Sequence, residues 1–132
     1  MKLIIGGSFQ GKSAYAVEHC SPCPIVADGN TCTQEEALQC DILDHLHLYI
    51  RRLLEQSIPE NEIEKQIDSL CKNNPSMCIV CNELGNGVVP MEVFDRRYRE
   101  TVGRICCNIA KQAESQKKIL QIQRLPLSRF RN

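Results

Sequence analysis

A glycine-rich segment near the start of the chain has the residue types and spacing of a phosphate-binding loop. It reads Gly6, Gly7, Ser8, Phe9, Gln10, Gly11, Lys12 and Ser13, after the apolar run Leu3–Ile5 and before a helix-forming stretch. Glycines let backbone N–H groups turn toward phosphate oxygens, a lysine ammonium reaches the β- and γ-phosphates, and a serine hydroxyl can ligate Mg²⁺. The following helix adds the positive end of its dipole. The segment is therefore predicted to bind a nucleotide, with a chance glycine-rich turn as the alternative.

Carboxylates follow two apolar runs and are candidates for metal binding and proton transfer. Asp28 ends one run, and a carboxylate at such a strand end commonly completes the Mg²⁺ shell opposite the loop serine, here Ser13. Its alternative is a solvated aspartate that starts a turn. Glu83 follows another run and is a candidate to orient or deprotonate an acceptor hydroxyl, with a loop brace as its alternative. Asp41 and Asp44 rank lower because they fall inside a helical pattern.

A basic patch is predicted at the start of the last long helix. Its members are Arg96, Arg97, Arg99 and Arg104. Arg99 and Arg104 are candidates to contact phosphate across a subunit boundary, because guanidinium groups bind phosphate through paired hydrogen bonds. The alternative is a solvated helix face, which charge runs on helices more often form.

Nine cysteines invite a metal or disulfide interpretation, at positions 20, 23, 32, 40, 71, 78, 81, 106 and 107. Cys20/Cys23 and Cys78/Cys81 have the CxxC spacing. Residues three apart on a strand point to opposite faces, so Cys78 and Cys81 are not expected to chelate one ion. In a reducing compartment free cysteine acts as a small apolar residue. Core filling is therefore predicted, with a redox or metal role as the alternative.

Length and charge restrict the class of protein further. The chain has 132 residues, which suits a single domain over 1–132 with a real core. Its 16 basic and 16 acidic residues cancel, so neither nucleic acid nor an anionic membrane is expected as a partner. No apolar stretch approaches a membrane span or a secretory signal, and a cytoplasmic location is predicted.

Predicted strands and helices alternate along the chain. The strands are Leu3–Ile5, Pro24–Asp28, Met77–Cys81 and Lys118–Gln123. The helices are Lys12–Cys20, Gln34 to about Gln56, a shorter one with Ile63, Ile67 and Leu70 on one face, and a long one marked by Phe94, Tyr98, Val102, Ile105, Ile109 and Ala113. The last strand alternates apolar and polar residues, which indicates a sheet edge. This order is typical of an α/β, phosphate-loop (P-loop) NTPase-like fold with a mostly parallel sheet, helices on both faces, and ligands beyond the carboxyl ends of the strands.

The stretch Asn82–Pro90 resembles the Asn-Glu-Val-Gly-x-Gly-Ile-Val-Pro segment of the adenosylcobinamide kinase/adenosylcobinamide-phosphate guanylyltransferases of cobalamin biosynthesis. Residues 96–100 and 103–104 are similar to the family's Arg-Arg-Phe-Arg-Asp and Gly-Arg, and the phosphate loop matches as well. The resemblance implies a homo-oligomer, usually a trimer, that phosphorylates a cobinamide hydroxyl with ATP or GTP and Mg²⁺. The corrinoid is then the acceptor, and Lys12, Glu83 and Arg99 are the candidate catalytic residues.

The chain departs from this family in its histidines. Family members attach GMP to a histidine between the phosphate-loop helix and the Mg²⁺-binding strand, but here one helix and one strand fill that interval. His19, the histidine within it, fits an exposed helix residue, while His45 and His47 are predicted two apart on one helix and so on different faces. Cys106 and Cys107 stand where the family tends to have Asn-Gln. The sequence therefore favours the kinase half of the family's chemistry.

Two other functions stay open at this point. One is a phosphate-loop kinase or NTPase with a different small-molecule acceptor. The other is a non-catalytic subunit that binds or senses nucleotide. An enzyme needs a cavity for an acceptor between the second strand and the 82–90 loop, whereas a sensor needs only the nucleotide half.

Overall fold

The computed structural model describes residues 2–6, 11–19, 23–82, 92–115 and 119–122. Its strands are β1 (Lys2–Gly6), β2 (Val26–Asp28), β3 (Ile42–Asp44), β4 (Cys78–Asn82) and β5 (Ile119–Ile122). Its helices are α1 (Lys12–His19), α2 (Gln34–Gln39), α3 (Leu46–Glu55), α4 (Glu60–Asn73) and α5 (Val93–Ser115). Strands and helices alternate through most of the chain, which confirms the predicted α/β class.

The five strands form one parallel sheet. Their order is β2-β3-β4-β1-β5, and each neighbouring pair is parallel. The edge position predicted for the last strand is confirmed, and β2 forms the other edge. Because all strands point the same way, their carboxyl ends lie along one edge of the sheet, where ligands of open α/β sheets bind.

The predicted helix from Gln34 to Gln56 is wrong, because a strand divides it. A capping box between Thr33 and Glu36 starts α2, which has ended by Cys40. Ile42 and Leu43 are then buried on opposite faces of the sheet, as consecutive strand residues must be. The apolar spacing across this region fits a helix only because α2, β3 and α3 happen to continue the same period.

Helices cover both faces of the sheet, as predicted. On one face Leu3, Leu43 and Ile79 pack against buried residues of α2, α3, α4 and α5. On the other, Ile4 and Val80 pack with Ala16 of α1 in a smaller cluster. The predicted apolar faces of the later helices are confirmed by the burial of Ile63, Ile67, Leu70, Tyr98, Val102, Ile105 and Ile109. Among the described residues, no helix is both long and apolar enough to cross a membrane.

Most described cysteines fill the core, as predicted. Cys32, Cys40, Cys71, Cys78 and Cys81 are buried, whereas Cys23 and Cys107 are exposed. Cys78 belongs to the core on the α1 side and Cys81 to the core on the other side, so the two do not share a face. Within the described ranges, no group of three or more His, Cys, Asp or Glu side chains is arranged to hold a metal ion.

Candidate active site

Polar residues end three of the strands at the carboxyl edge of the sheet. Gly6, the last residue of β1, pairs in register with Asn82 at the end of β4. Asp28 and Asp44 pair at the ends of β2 and β3. Glu83, the predicted acceptor base, follows Asn82 directly but lies outside the described residues. The strand ends therefore form a row of polar groups beside the phosphate-loop segment.

The strand and the helix that should flank the predicted phosphate loop are both present. β1 ends before the loop and α1 begins at its last residues, as the sequence predicts. Gly11 has a φ of 80°, which L side chains rarely adopt, so glycine is needed there. Its carbonyl oxygen accepts the N–H of Tyr15 at 2.9 Å. Residues 7–10 and the side chains of Lys12 and Ser13 lie outside the description, so their contacts with phosphate stay a prediction.

Asp44 is the strand-end aspartate closer to the phosphate-loop strand. Only β4 separates β3 from β1, so the two strand ends are roughly 10 Å apart. The Asp44 side chain is 13% exposed, and its Oδ1 accepts the N–H of His45 at 2.9 Å. Ile42, two residues earlier, packs on the α1 side of the sheet, and strand alternation gives Asp44 the same side. Asp44 was expected inside a helix, but it is the last residue of the strand β3.

Asp28 ends the edge strand β2, one strand further out. Its end lies roughly 14 Å from that of β1 at ordinary strand spacing. Asp28 Oδ1 accepts the N–H of Asn30 at 2.9 Å and lies 3.0 Å from Nδ1 of His45. The Asn30 N–H lowers the pKa of the Asp28 carboxyl, partial burial opposes it, and the His45 contact lowers it again. Asp28 is thus engaged by its own turn and by His45.

His45 joins the ends of β2 and β3. It has φ 56° and ψ 50° and precedes α3, a left-handed conformation that is uncommon for a residue other than glycine. Its Nδ1 lies 3.0 Å from Asp28 Oδ1 and 3.8 Å from Asp44 Oδ2, with the imidazole 40% exposed. A Cβ at Gly29 would overlap the carbonyl oxygen of His45, so the two backbone segments are in close contact. The prediction that His45 lies inside a helix is wrong.

His47 supports the end of β4 from the first turn of α3. It is 5% exposed, and its Nδ1 accepts the N–H of Asn82 at 3.2 Å, so Nδ1 carries no proton in this arrangement. The rings of His45 and His47 meet edge to face with centroids 5.8 Å apart. The prediction that these histidines point apart from one helix is therefore wrong. The short run Ile42-Leu43 before Asp44 was the signal for a strand end here.

Arg52 stabilises the turn that follows Asp28, and sequence reasoning missed it. Its guanidinium donates hydrogen bonds to the carbonyl oxygens of Gly29 and Cys32, both at 2.9 Å. It also lies 5.8 Å from the ring centroid of Tyr49, within the range of a cation–π contact. Arg52 therefore links α3 to the β2 turn and helps to fix the position of the Asp28–His45 pair.

Two arginines of the predicted basic patch form ion pairs within the chain. Arg97 lies 3.3 Å from Glu60, and Arg104 lies 3.4 Å from both Glu60 and Glu64. These contacts join α5 to α4, and they pair Arg104, one of the two arginines predicted to contact phosphate, with carboxylates of the same chain. Arg99, the patch member assigned a catalytic role, is half-buried on α5.

Two cavities in the described part of the chain lie away from the strand ends. One of about 420 Å³ lies between α4 and α5, over Ile67, Ile105 and Ile109. Another of about 260 Å³ borders Tyr49 and Arg52. Neither includes a strand-end residue, so the candidate site is identified by its chemistry and topology and not by cavity volume.

The chain is a nucleotide-binding α/β protein of the phosphate-loop class. Three features define this class: the parallel sheet, the strand and helix on either side of a phosphate-loop sequence, and the polar strand ends. Within that class the chain belongs to the cobinamide kinase / cobinamide phosphate guanyltransferase family, whose family model matches residues 25–127. The match covers most of the chain and begins after the phosphate loop. No individual curated protein matches the chain. The family resemblance inferred from the 82–104 motifs is thereby confirmed, and with it a coarse assignment to nucleotide-dependent transferases of cobalamin biosynthesis.

Proposed function

We propose that this protein transfers the γ-phosphoryl group of ATP or GTP to a hydroxyl of cobinamide. The observation that carries the proposal is the placement of Asp44 at the carboxyl edge, two strands from the phosphate-loop frame, in a chain of the cobinamide kinase family. Phosphoryl transfer needs mainly positioning and charge neutralisation, with little covalent work by the protein. The ends of β1, β4 and β3 are neighbours along the edge where open α/β sheets bind their ligands.

Asp44 is the carboxylate that we assign to the metal, in place of Asp28. Mg²⁺ prefers oxygen ligands and is usually held through one or two carboxylates plus substrate phosphates. Asp44 fits this requirement, because it is a little-exposed carboxylate on the α1 side of the sheet. Ser13 would supply the second protein oxygen. When bound, the cation neutralises charge on the β- and γ-phosphates.

The remaining roles follow from position along the chain. Lys12 stabilises charge on the transferred group, and the loop 6–13 holds the nucleotide phosphates. Glu83, one residue beyond Asn82, orients or deprotonates the acceptor hydroxyl. Arg99 contacts phosphate across a subunit boundary in a homo-oligomer, which we take to be a trimer in the cytoplasm. Analytical ultracentrifugation tests the trimer, since a monomer at working concentration would remove this role of Arg99.

The proposal is tested by nucleotide consumption with Mg²⁺ in the presence and absence of cobinamide. We expect consumption of ATP or GTP that depends on cobinamide and falls by about 100-fold or more in Lys12→Ala, the loss typical of removing one charge-stabilising group. If both nucleotides bind and neither is consumed with cobinamide, the kinase function is wrong. Consumption without dependence on cobinamide would indicate another acceptor or an NTPase.

A second function has an observation in its favour, namely guanylyl transfer through His45. Its imidazole is 40% exposed at the ligand edge, with Nδ1 held by Asp28. A histidine fixed in this way can present Nε2 as a nucleophile. Attack on the α-phosphorus of GTP would form a P–N bond, break the bond to the β-phosphate oxygen, and release pyrophosphate.

This second function is tested with GTP labelled on the α-phosphate. Acid-labile label bound to the protein, lost in His45→Gln and retained in His19→Gln, would support it. His19→Gln is the matched control because it changes a histidine outside the Asp28–His45 pair. Protein that stays unlabelled, or label that persists in His45→Gln, would show that His45 is not the residue that accepts GMP.

A further inference from the structure

Two cysteines from different elements are in contact near the carboxyl end of β4. The Sγ atoms of Cys81, on β4, and Cys106, on α5, are 3.5 Å apart. A disulfide needs a sulfur separation of about 2.05 Å, so the sulfurs must approach by about 1.5 Å. We propose that Cys81 and Cys106 form a reversible redox site, in which a peroxide oxidises the two thiols to a disulfide that ties β4 to α5.

The two thiols differ in a way that suits them to successive steps. Cys81 is 0% exposed, whereas Cys106 is only partly buried. Contact with the Cys81 thiol lowers the pKa of Cys106, although burial opposes the shift. Burial instead raises the pKa of Cys40 and Cys71 to about 11. The thiolate is the reactive form of cysteine. Cys106, which is more exposed and has the lowered pKa, is therefore the thiol that reacts first with an oxidant.

The chemistry balances with hydrogen peroxide as the oxidant. The Cys106 thiolate attacks one peroxide oxygen, the O–O bond breaks, and a sulfenic acid forms with release of hydroxide, which is protonated to water. The Cys81 sulfur then attacks the sulfenic sulfur, the S–O bond breaks, and a second water leaves as the disulfide forms. Two electrons pass from the pair of thiols to the peroxide, and a thiol reductant returns them.

The position of the pair connects it to the strand ends. Cys81 is followed by Asn82, whose N–H is bound by His47 and whose register partner is Gly6. Drawing α5 toward Cys81 would therefore move groups beside the predicted phosphate loop. We expect the oxidised protein to consume nucleotide at a changed rate, an effect that rests on the proposed function. Formation of the disulfide does not depend on that function.

The test is peroxide treatment of the folded, full-length protein, followed by denaturation, alkylation and peptide mapping. We expect two fewer alkylated thiols than the nine cysteines of the chain, a linked Cys81–Cys106 peptide, and reversal by a thiol reductant. Cys106→Ser should abolish the link, and Cys107→Ser, which alters the exposed neighbour, should retain it. Cys106 linked to another cysteine, or Cys106 over-oxidised without any link, would overturn the proposal. The wild-type peptide map decides this even if Cys81→Ser fails to fold.

Discussion

At the scale of single residues, two aspartates at the ends of neighbouring strands have different surroundings. Asp28 and Asp44 each end a short parallel strand and are partners in register. Asp28 is 49% exposed and contacts His45, whereas Asp44 is 13% exposed on the strand nearer to β1. Our proposal of Asp44 over Asp28 rests on strand order, which depends on the whole fold and which local sequence does not reveal.

The first prediction compares Asp44→Asn with Asp28→Asn. We expect Asp44→Asn to lower kcat of the Mg²⁺-dependent reaction by about 100-fold, because a charge that positions the metal is lost while the acceptor for the His45 N–H remains. Asp28→Asn should lower it by about tenfold, the lower end of the loss expected for a group that acts by orienting another. Steady-state kinetics over a range of Mg²⁺ concentrations measures both, with thermal unfolding as the control for folding. Equal losses, or a larger loss in Asp28→Asn, would contradict the assignment of the metal to Asp44 and favour Asp28 as its ligand.

A second prediction concerns Gly29, where a side chain has no room. A Cβ there would overlap the His45 carbonyl oxygen and lie 2.9 Å from that of Asp44. Since both obstacles are backbone, Gly29→Ala should lower the free energy of unfolding by about 1–3 kcal/mol. Gly103→Ala is the matched control, because no heavy atom lies within 4 Å of a Cβ at that position on α5, and it should stabilise by about 0.5–1 kcal/mol. Urea unfolding of both variants measures the difference, and an unchanged Gly29→Ala would refute the close contact.

At the scale of elements, the sequence predicts the strands and helices that have strong apolar patterns, and it misses the short strand β3. β1, α1, β4 and the long helix α5 follow from apolar runs or long periodic segments, and the structure has them within a few residues. β3 has only three residues, and its apolar residues also fit the period of the flanking helices. Such a strand is stabilised by its neighbours in the sheet, so local pattern does not reveal it. The position of His45, which depends on β3, was missed for the same reason.

The capping box that separates α2 from the preceding turn gives a third prediction. Thr33 Oγ1 accepts the N–H of Glu36 at 3.1 Å, and Glu36 Oε1 accepts the N–H of Thr33 at 3.1 Å. Thr33→Ala should therefore cost about 1 kcal/mol of unfolding free energy. Thr31→Ala, whose exposed side chain makes no hydrogen bond to any described residue, should change it by less than about 0.5 kcal/mol. Equal effects of the two substitutions in chemical denaturation would show that the cap is not stabilising.

At the scale of the whole molecule, the fold class and family follow from the sequence, while the assignment of site residues needs the assembled sheet. Parallel strands bring residues as distant as Gly6, Asp44 and Asn82 to one edge. The ion pairs of Arg97 and Arg104 with α4 likewise appear only when two helices pack together. Pattern in the chain identifies which residues have suitable chemistry, and packing determines which of them meet.

The central claim, phosphoryl transfer to cobinamide, is tested most directly by following a γ-phosphate label from the nucleotide. With purified protein, Mg²⁺ and cobinamide, we expect the label to appear in cobinamide phosphate, and to remain in the nucleotide when cobinamide is omitted or Lys12→Ala is used. Label that is released only as inorganic phosphate, or that stays in the nucleotide with cobinamide present, would contradict the claim.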